Sequence, residues 1–153
     1  MLKSNIRKKI LNLRKLENRK NIQLQFSAIY NILKKNNLKN KSIGGYYPVN
    51  YEIDDLGILK ELEKKNFKIS LPVIKKNNEM DFYKWSFRDN LNLNIYGIPE
   101  PEQTKLVCPD IILVPLVAFD KRLFRLGYGG GFYDRYIEKL LKKKIFLTIG
   151  LAL

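Results

Sequence analysis

The residues best suited to chemistry fall in one stretch, Arg125-Leu126-Gly127-Tyr128-Gly129-Gly130-Gly131-Phe132-Tyr133-Asp134-Arg135, which holds four of the chain's nine glycines within five positions. Missing side chains let backbone N–H groups approach an anion closely, and the helix predicted to begin just after them adds a favourable dipole. A phosphate suits that place. The segment is not a Walker loop, because no Gly-Lys-Ser/Thr follows, and it fails the dinucleotide GxGxxG spacing because Phe132 stands where the last glycine is needed. A tight structural turn would use the same glycines. Asp134 follows at the start of the predicted helix, and a carboxylate beside bound phosphates is a natural Mg²⁺ ligand; helix capping is its other role.

Three further groups carry possible chemistry. Lys3 and Arg7 stand at i and i+4, so on a helix they project together and could clamp phosphates, although solvated surface charges show the same spacing. Glu52 follows the turn-like YYPVNYE and could accept hydrogen bonds from a ligand's N–H groups. Tyr46, Tyr47, Met80, Trp85 and Tyr96 supply flat and soft surface for a heterocycle, with the ordinary core as the alternative place for each.

Composition removes many other chemistries. Histidine is absent and Cys108 is the single cysteine, so His-based triads, His metal sites, CxxC zinc sites and an internal disulfide are all excluded. The net charge is +14, and through Lys41 twelve Lys/Arg face Glu17 alone. Such a field attracts polyanions, from nucleic acid to nucleotides. Yet Lys outnumbers Arg 22 to 7 beside fifteen Asn, a composition that reads as solvated surface, and no nucleic-acid module is present. No nucleic-acid partner is expected. The longest apolar run, Ile111 to Phe119, is broken by Pro115 and falls well short of the roughly 20 residues of a membrane span. No h-region follows the basic start, so neither membrane nor secretion is expected, and a cytoplasmic location is the default.

These groups need a scaffold. Leu2, Ile6, Ile10, Leu13 and Leu16 recur at spacings of three and four, predicting an amphipathic helix with Lys3, Arg7 and Arg14 beside the stripe. A second helical pattern runs from Ile22 to Leu33. SIGGYYPV reads as a short strand stopped by Pro48, and IDDLGILKELEKKN as a helix with acidic residues near its start. FKISLPV is a strand ending at Pro72, and MDFYKWSF another. LNLNIYGIPEPEQ reads as loop because of its prolines and glycine. DIILVPLVAF is a buried strand broken at Pro115, DKRLFRLGYGGG a turn, FYDRYIEKLLKKK a helix and IFLTIGLAL a last strand. Helices alternating with short apolar strands predict one α/β domain over 1–153 with a mainly parallel sheet.

In order and spacing, Lys3-x-x-x-Arg7, Tyr47-Pro48-x-x-x-Glu52, Leu71-Pro72-Val73, Met80, Trp85, Gly97-Ile98-Pro99-Glu100-Pro101, LVPLVAFD and RLGYGGGFYDR resemble the 5-formyltetrahydrofolate cyclo-ligase family, also called methenyltetrahydrofolate synthetase. The resemblance covers nearly the whole chain. It implies a three-layer αβα sandwich and a ligase that converts 5-formyltetrahydrofolate to 5,10-methenyltetrahydrofolate, with Mg-ATP giving ADP and phosphate. It also implies roles: Lys3, Arg7 and Arg125 through Tyr133 for ATP, Asp134 for Mg²⁺, and Glu52, Met80 and Tyr96 for the folate. A monomer working on small-molecule substrates is expected.

Two departures accompany it. Phe132 stands where Tyr is common, and Gly130 where some relatives carry a basic residue. The family pattern also continues past Gly150-Leu151-Ala152 into a segment with a further strand and a second metal-binding aspartate, so the chain is expected to be C-terminally shortened. On that expectation Asp134 is the only matched metal ligand, and a non-catalytic folate- or nucleotide-binding remnant is the alternative to an active enzyme.

Overall fold

A computed structural model describes residues 2–17, 22 and 24–152. Its elements run α1 (Lys3–Glu17), α2 (Phe26–Lys35), β1 (Ser42–Gly44), α3 (Leu56–Lys64), β2 (Lys68–Ile74), β3 (Met80–Lys84), β4 (Leu91–Leu93), β5 (Pro99–Pro101), β6 (Leu106–Val107), β7 (Ile111–Pro115), β8 (Ala118–Phe119), β9 (Arg125–Leu126), α4 (Phe132–Leu141) and β10 (Leu147–Leu151). Six strands form the central sheet in the order β10-β7-β1-β2-β3-β6. The first four run parallel, and β3 and β6 are antiparallel additions.

Alternation along the strands sorts the core into two layers. On β7, Ile111 and Leu113 face one way, into a cluster with Ile29 and Leu33 of α2 and Ile58, Leu59 and Leu62 of α3. Ile112 and Val114 face the other way, against Tyr136 and Leu140 of α4. The strand is buried along its whole length, which explains its unbroken apolar run. The result is the expected three-layer αβα arrangement. No helix among the described residues is long and apolar enough to cross a membrane.

Several sequence expectations are corrected. β2 does not stop at Pro72 but continues to Ile74. The Trp85 N–H bonds the Ile69 carbonyl, so odd-numbered residues of β2 exchange bonds with β3 while the nitrogen of Pro72 points the other way, where pairing with β1 has ended at Ser70. The missing donor costs nothing there. The LNLNIYGIPEPEQ segment is not mainly loop: Leu91–Leu93 and Pro99–Pro101 pair antiparallel as a two-stranded ribbon, in which Pro101 faces Leu91 and Pro99 faces Leu93. Its turn is closed by Asn94, whose Oδ1 accepts the N–H groups of Tyr96 and Ile98, and by Gly97 at φ +70°.

The first helix also differs from its hydrophobic pattern. Leu2, Leu13 and Leu16 are exposed, while Arg14 is buried, so the inward face of α1 follows Arg7, Ile10 and Arg14. This helix does not cover an apolar sheet face. It lies across strand ends and loops, where carbonyl groups make cations the better partners.

Candidate functional site

The strand order reverses direction at β1: β2 lies on one side, whereas the chain crosses over to place β7 and then β10 on the other. In open α/β sheets such a switch opens a crevice at the carboxyl ends of the strands. A cavity of about 380 Å³ lies there, lined by Val114 and Pro115 at the end of β7, Tyr46 and Tyr47 after β1, and Pro72 and Ile74 of β2. That volume suits a small-molecule ligand.

One wall comes from the turn after β1. Asn50 and Tyr51 adopt left-handed conformations at φ 49° and 63°, and the turn closes when the Glu52 N–H bonds the Val49 carbonyl at 2.9 Å. Glu52 Oε2 accepts the Val49 N–H in return, also at 2.9 Å. This fixes a half-buried carboxylate at the cavity. Burial pushes its pKa up to about 7, against the lowering effects of the Val49 hydrogen bond and of Arg14.

Asp55 stabilises the turn from below. It occupies the position before α3 but does not cap the helix with its side chain; instead its buried Oδ2 accepts the Tyr46 N–H at 3.1 Å. The acidic residue expected to serve the helix dipole is thus used to hold a loop, and burial raises its pKa well above the usual carboxylate range. Tyr46 donates its hydroxyl to the Ile53 carbonyl at 2.6 Å. Gly45 permits this packing, since a Cβ there would meet Leu59 Cδ1 at 2.4 Å and Asp55 Oδ2 at 2.9 Å. Gly45→Ala is therefore expected to destabilise the protein by about 1–3 kcal/mol, measured by denaturant unfolding; an unchanged midpoint would show that α3 shifts freely.

The opposite wall is the glycine segment. β8 and β9 form a hairpin that delivers Arg125 and Leu126 to the cavity, and the glycines then lead into α4. Gly129 sits at φ +115° and Gly131 at φ +69°, conformations that glycine adopts without strain. Arg7 reaches across from α1, and its Nε donates to the Gly127 carbonyl at 2.7 Å. Its guanidinium carbon lies 3.6 Å from where a Cβ on Gly129 would stand, so the missing side chain lets the cation lie against the loop. Tyr128 accepts a hydrogen bond from Arg14 at 2.9 Å. Burial, with the Glu52 charge adding to it against the opposing effect of Arg14, pushes the Tyr128 pKa up to about 12. The Tyr133 hydroxyl is buried without a hydrogen-bond partner among the described residues, and burial raises its pKa.

Asp134 lies in the first turn of α4 and pairs with Arg125, whose Nε is 3.1 Å from Oδ1. Among the described residues no three His, Cys, Asp or Glu side chains cluster as a metal site. A single carboxylate beside the glycine segment at the cavity fits Mg²⁺, which takes one or two protein carboxylates and fills its shell with substrate phosphates and water.

Lys3, Arg7, Glu52, Met80, Asp134 and the whole stretch Arg125–Tyr133 thus meet at one cavity, with Tyr46 and Tyr47. Tyr96 does not join them. It is 56% exposed at the tip of the β4–β5 ribbon, and Asn94 and Ile98 from the same turn line the cavity instead. Trp85 is also elsewhere, buried in the core with its ring centroid 4.5 Å from that of Phe87. Sequence reasoning did not single out Asp55, Asn94 or Arg14 as site residues. Only Arg14 left a signal, seven residues after Arg7 on the same helix face.

Comparison with known proteins places the chain in a family and matches its fold. The family model described as the 5-formyltetrahydrofolate cyclo-ligase family matches residues 1–153. The chain is 32% identical to the 5-formyltetrahydrofolate cyclo-ligase of Haemophilus influenzae, covering 99% of this chain and 83% of that relative. It resembles the solved structure of Aquifex aeolicus 5,10-methenyltetrahydrofolate synthetase with a TM-score of 0.72 at 33% identity, over 99% of this chain and 78% of that one. The Mycoplasma pneumoniae 5,10-methenyltetrahydrofolate synthetase shares the fold at 23% identity, with a TM-score of 0.61 over 94% of this chain and 82% of the other.

Proposed function

The chain belongs to the 5-formyltetrahydrofolate cyclo-ligase family, and from that membership we propose that it closes 5-formyltetrahydrofolate to 5,10-methenyltetrahydrofolate at the cavity described above, cleaving Mg-ATP to ADP and phosphate. The observation that carries this reading is the polarity of the cavity. Lys3, Arg7, Arg125 and the glycine segment form a cationic end suited to a triphosphate, while Glu52 and the apolar surfaces of Met80, Ile74 and Pro99 offer a heterocycle one carboxylate and a greasy wall.

The chemistry asks for little beyond such an arrangement. The formyl oxygen attacks the γ-phosphorus, the bond to ADP breaks, N10 attacks the activated formyl carbon, and phosphate leaves as N10 loses its proton. Phosphoryl transfer is served by positioning and charge neutralisation rather than by a covalent nucleophile, so a site without His or a reactive thiol is adequate. In this reading Arg7 and Lys3 bind phosphate oxygens, and backbone N–H groups of the glycine segment complete the cradle. Arg125 exchanges Asp134 for the transferring phosphoryl group. Asp134 would hold Mg²⁺, which would supply neutralisation of the phosphate charge. Glu52 accepts N–H groups of the pterin.

The direct test mixes purified protein with 5-formyltetrahydrofolate and Mg-ATP and follows methenyltetrahydrofolate absorbance, with an ATP-free control. An ATP-dependent rise is expected. Binding of both ligands by folded protein with no product would select the non-catalytic remnant instead.

Glu52 makes the reading pH-dependent. Its pKa rises from 4.5 to about 7 on folding, so the folded state holds this proton more tightly than the unfolded chain. The associated stability is fully present below about pH 4.5 and is lost as pH rises through about 7. Glu52→Gln is expected to melt with wild-type stability at pH 5 and to gain on the order of 2 kcal/mol at pH 8. The carboxylate form binds N–H donors, so wild-type KM for the folate is expected to fall by up to about tenfold from pH 6 to pH 8 and to stay flat in Glu52→Gln. Arg14, Tyr46, Tyr128, Tyr133 and Asp55 are the other groups acting on this turn, and Asp55→Asn controls for the second carboxyl. A wild-type pH dependence retained in Glu52→Gln would remove Glu52 from the substrate site.

A further inference from the structure

Arg14 is the most deeply buried cation among the described residues, at 7% exposure. Its Nη1 donates to the Tyr51 carbonyl at 3.3 Å and to the Tyr128 hydroxyl at 2.9 Å. Its Nη2 donates to the Leu116 and Val117 carbonyls at 3.1 and 2.7 Å. All four acceptors are neutral oxygens, and Nε has no partner among the described residues. A buried charge with no contacting carboxylate among the described residues is expensive. A residue serving only to fasten α1 to the sheet could do so with an apolar side chain.

What the guanidinium joins explains its presence. Tyr51 immediately precedes Glu52, the residue proposed above for the folate, and Tyr128 lies within the glycine segment proposed above for the nucleotide. Leu116 and Val117 directly follow β7, whose strand is buried and paired on both sides. One rigid, planar fork therefore ties both halves of the cavity to the same fixed strand end, a geometry that the point charge of lysine does not reproduce. We infer that Arg14 is a positioning residue that sets the separation between the nucleotide half and the folate half of the site without itself touching the reacting atoms. This rests on the proposed ligase reaction, in which the formyl oxygen must meet the γ-phosphorus in line.

Positioning makes a different prediction from fastening. Misplacing the two substrates by about 1 Å costs on the order of 10²-fold in rate. Arg14→Lys is therefore expected to lower kcat by about that factor, while the Kd of each substrate, measured separately by titration, stays near the wild-type value. Tyr128→Phe removes only one acceptor and is expected to lower kcat by about tenfold, the worth of one charge-assisted hydrogen bond, again with little change in either Kd. If Arg14→Lys does not fold, Tyr128→Phe decides the question alone. A lower melting temperature with wild-type kcat in the folded variants would make Arg14 a fastener and overturn the inference. Weakened nucleotide binding with unchanged kcat would overturn it as well. If the wild-type chain forms no product, the ligase reading fails and takes this inference with it; an active wild type with unaffected variants refutes the inference alone.

Discussion

Arg7→Ala is expected to lower kcat/KM for ATP by about 10³-fold, the scale on which an arginine stabilises a transferring phosphoryl group. Two roles are lost together. The Nε–H to Gly127 carbonyl bond at 2.7 Å holds the glycine segment in place, and Nη1 lies 3.7 Å from where a Cβ on Gly129 would stand, beside the surface proposed for phosphate. Arg7→Lys keeps a charge but cannot both bond the carbonyl and face the loop in a fork. It should therefore recover only part of the loss. Steady-state kinetics with ATP varied at saturating folate measures the effect, and thermal unfolding separates it from instability, since Arg7 is only half-buried. Wild-type kinetics in Arg7→Ala would exclude the glycine segment and α1 as the phosphate cradle.

Asp134→Ala is expected to reduce Mg-dependent turnover by about 10²–10³-fold, corresponding to the several kcal/mol that a metal ion contributes to phosphoryl chemistry. The concentration of Mg²⁺ required for half-maximal rate should rise as well. The competing role is structural. An acidic side chain in the first turn of α4 interacts favourably with the helix dipole, an effect worth under about 1 kcal/mol at an exposed site. Its carboxylate is mostly exposed and bound to Arg125. A variant that melts slightly earlier yet keeps the wild-type Mg²⁺ dependence would leave Asp134 as a helix residue and Arg125 partner only. The pair with Arg125 makes the contrast sharp, because Arg125 released from its carboxylate remains available to phosphate while the metal loses its protein ligand.

Much of this was legible in the chain itself. The glycine segment, Lys3-x-x-x-Arg7, Glu52 and Asp134 are chemical types at fixed spacings, and the fold brings them to one cavity from a helix, a turn and a hairpin. Periodicity located the helices and the buried strands, because an apolar residue every second or every third to fourth position leaves few ways to bury them. It failed where a local signal was outweighed by a neighbour. Pro72 lies inside a strand because pairing on its open side ends two residues earlier. The prolines of β5 are tolerated on a ribbon edge.

The residues alone excluded His-based chemistry, carried the family resemblance and supplied candidate site residues, most of which line one cavity. Only the tertiary structure decided which face of α1 turns inward, that Arg14 rather than the leucine stripe is buried there, that Asp55 supports a loop instead of capping a helix, and that Tyr96 stays outside the cavity. The physical reason is common to all four. Hydrophobic periodicity records how much apolar surface a segment offers, whereas the place of a polar side chain depends on which unpaired carbonyls and N–H groups distant segments bring to it. Those partners come from residues as far apart in sequence as Arg14 and Tyr128, and no local pattern encodes their meeting.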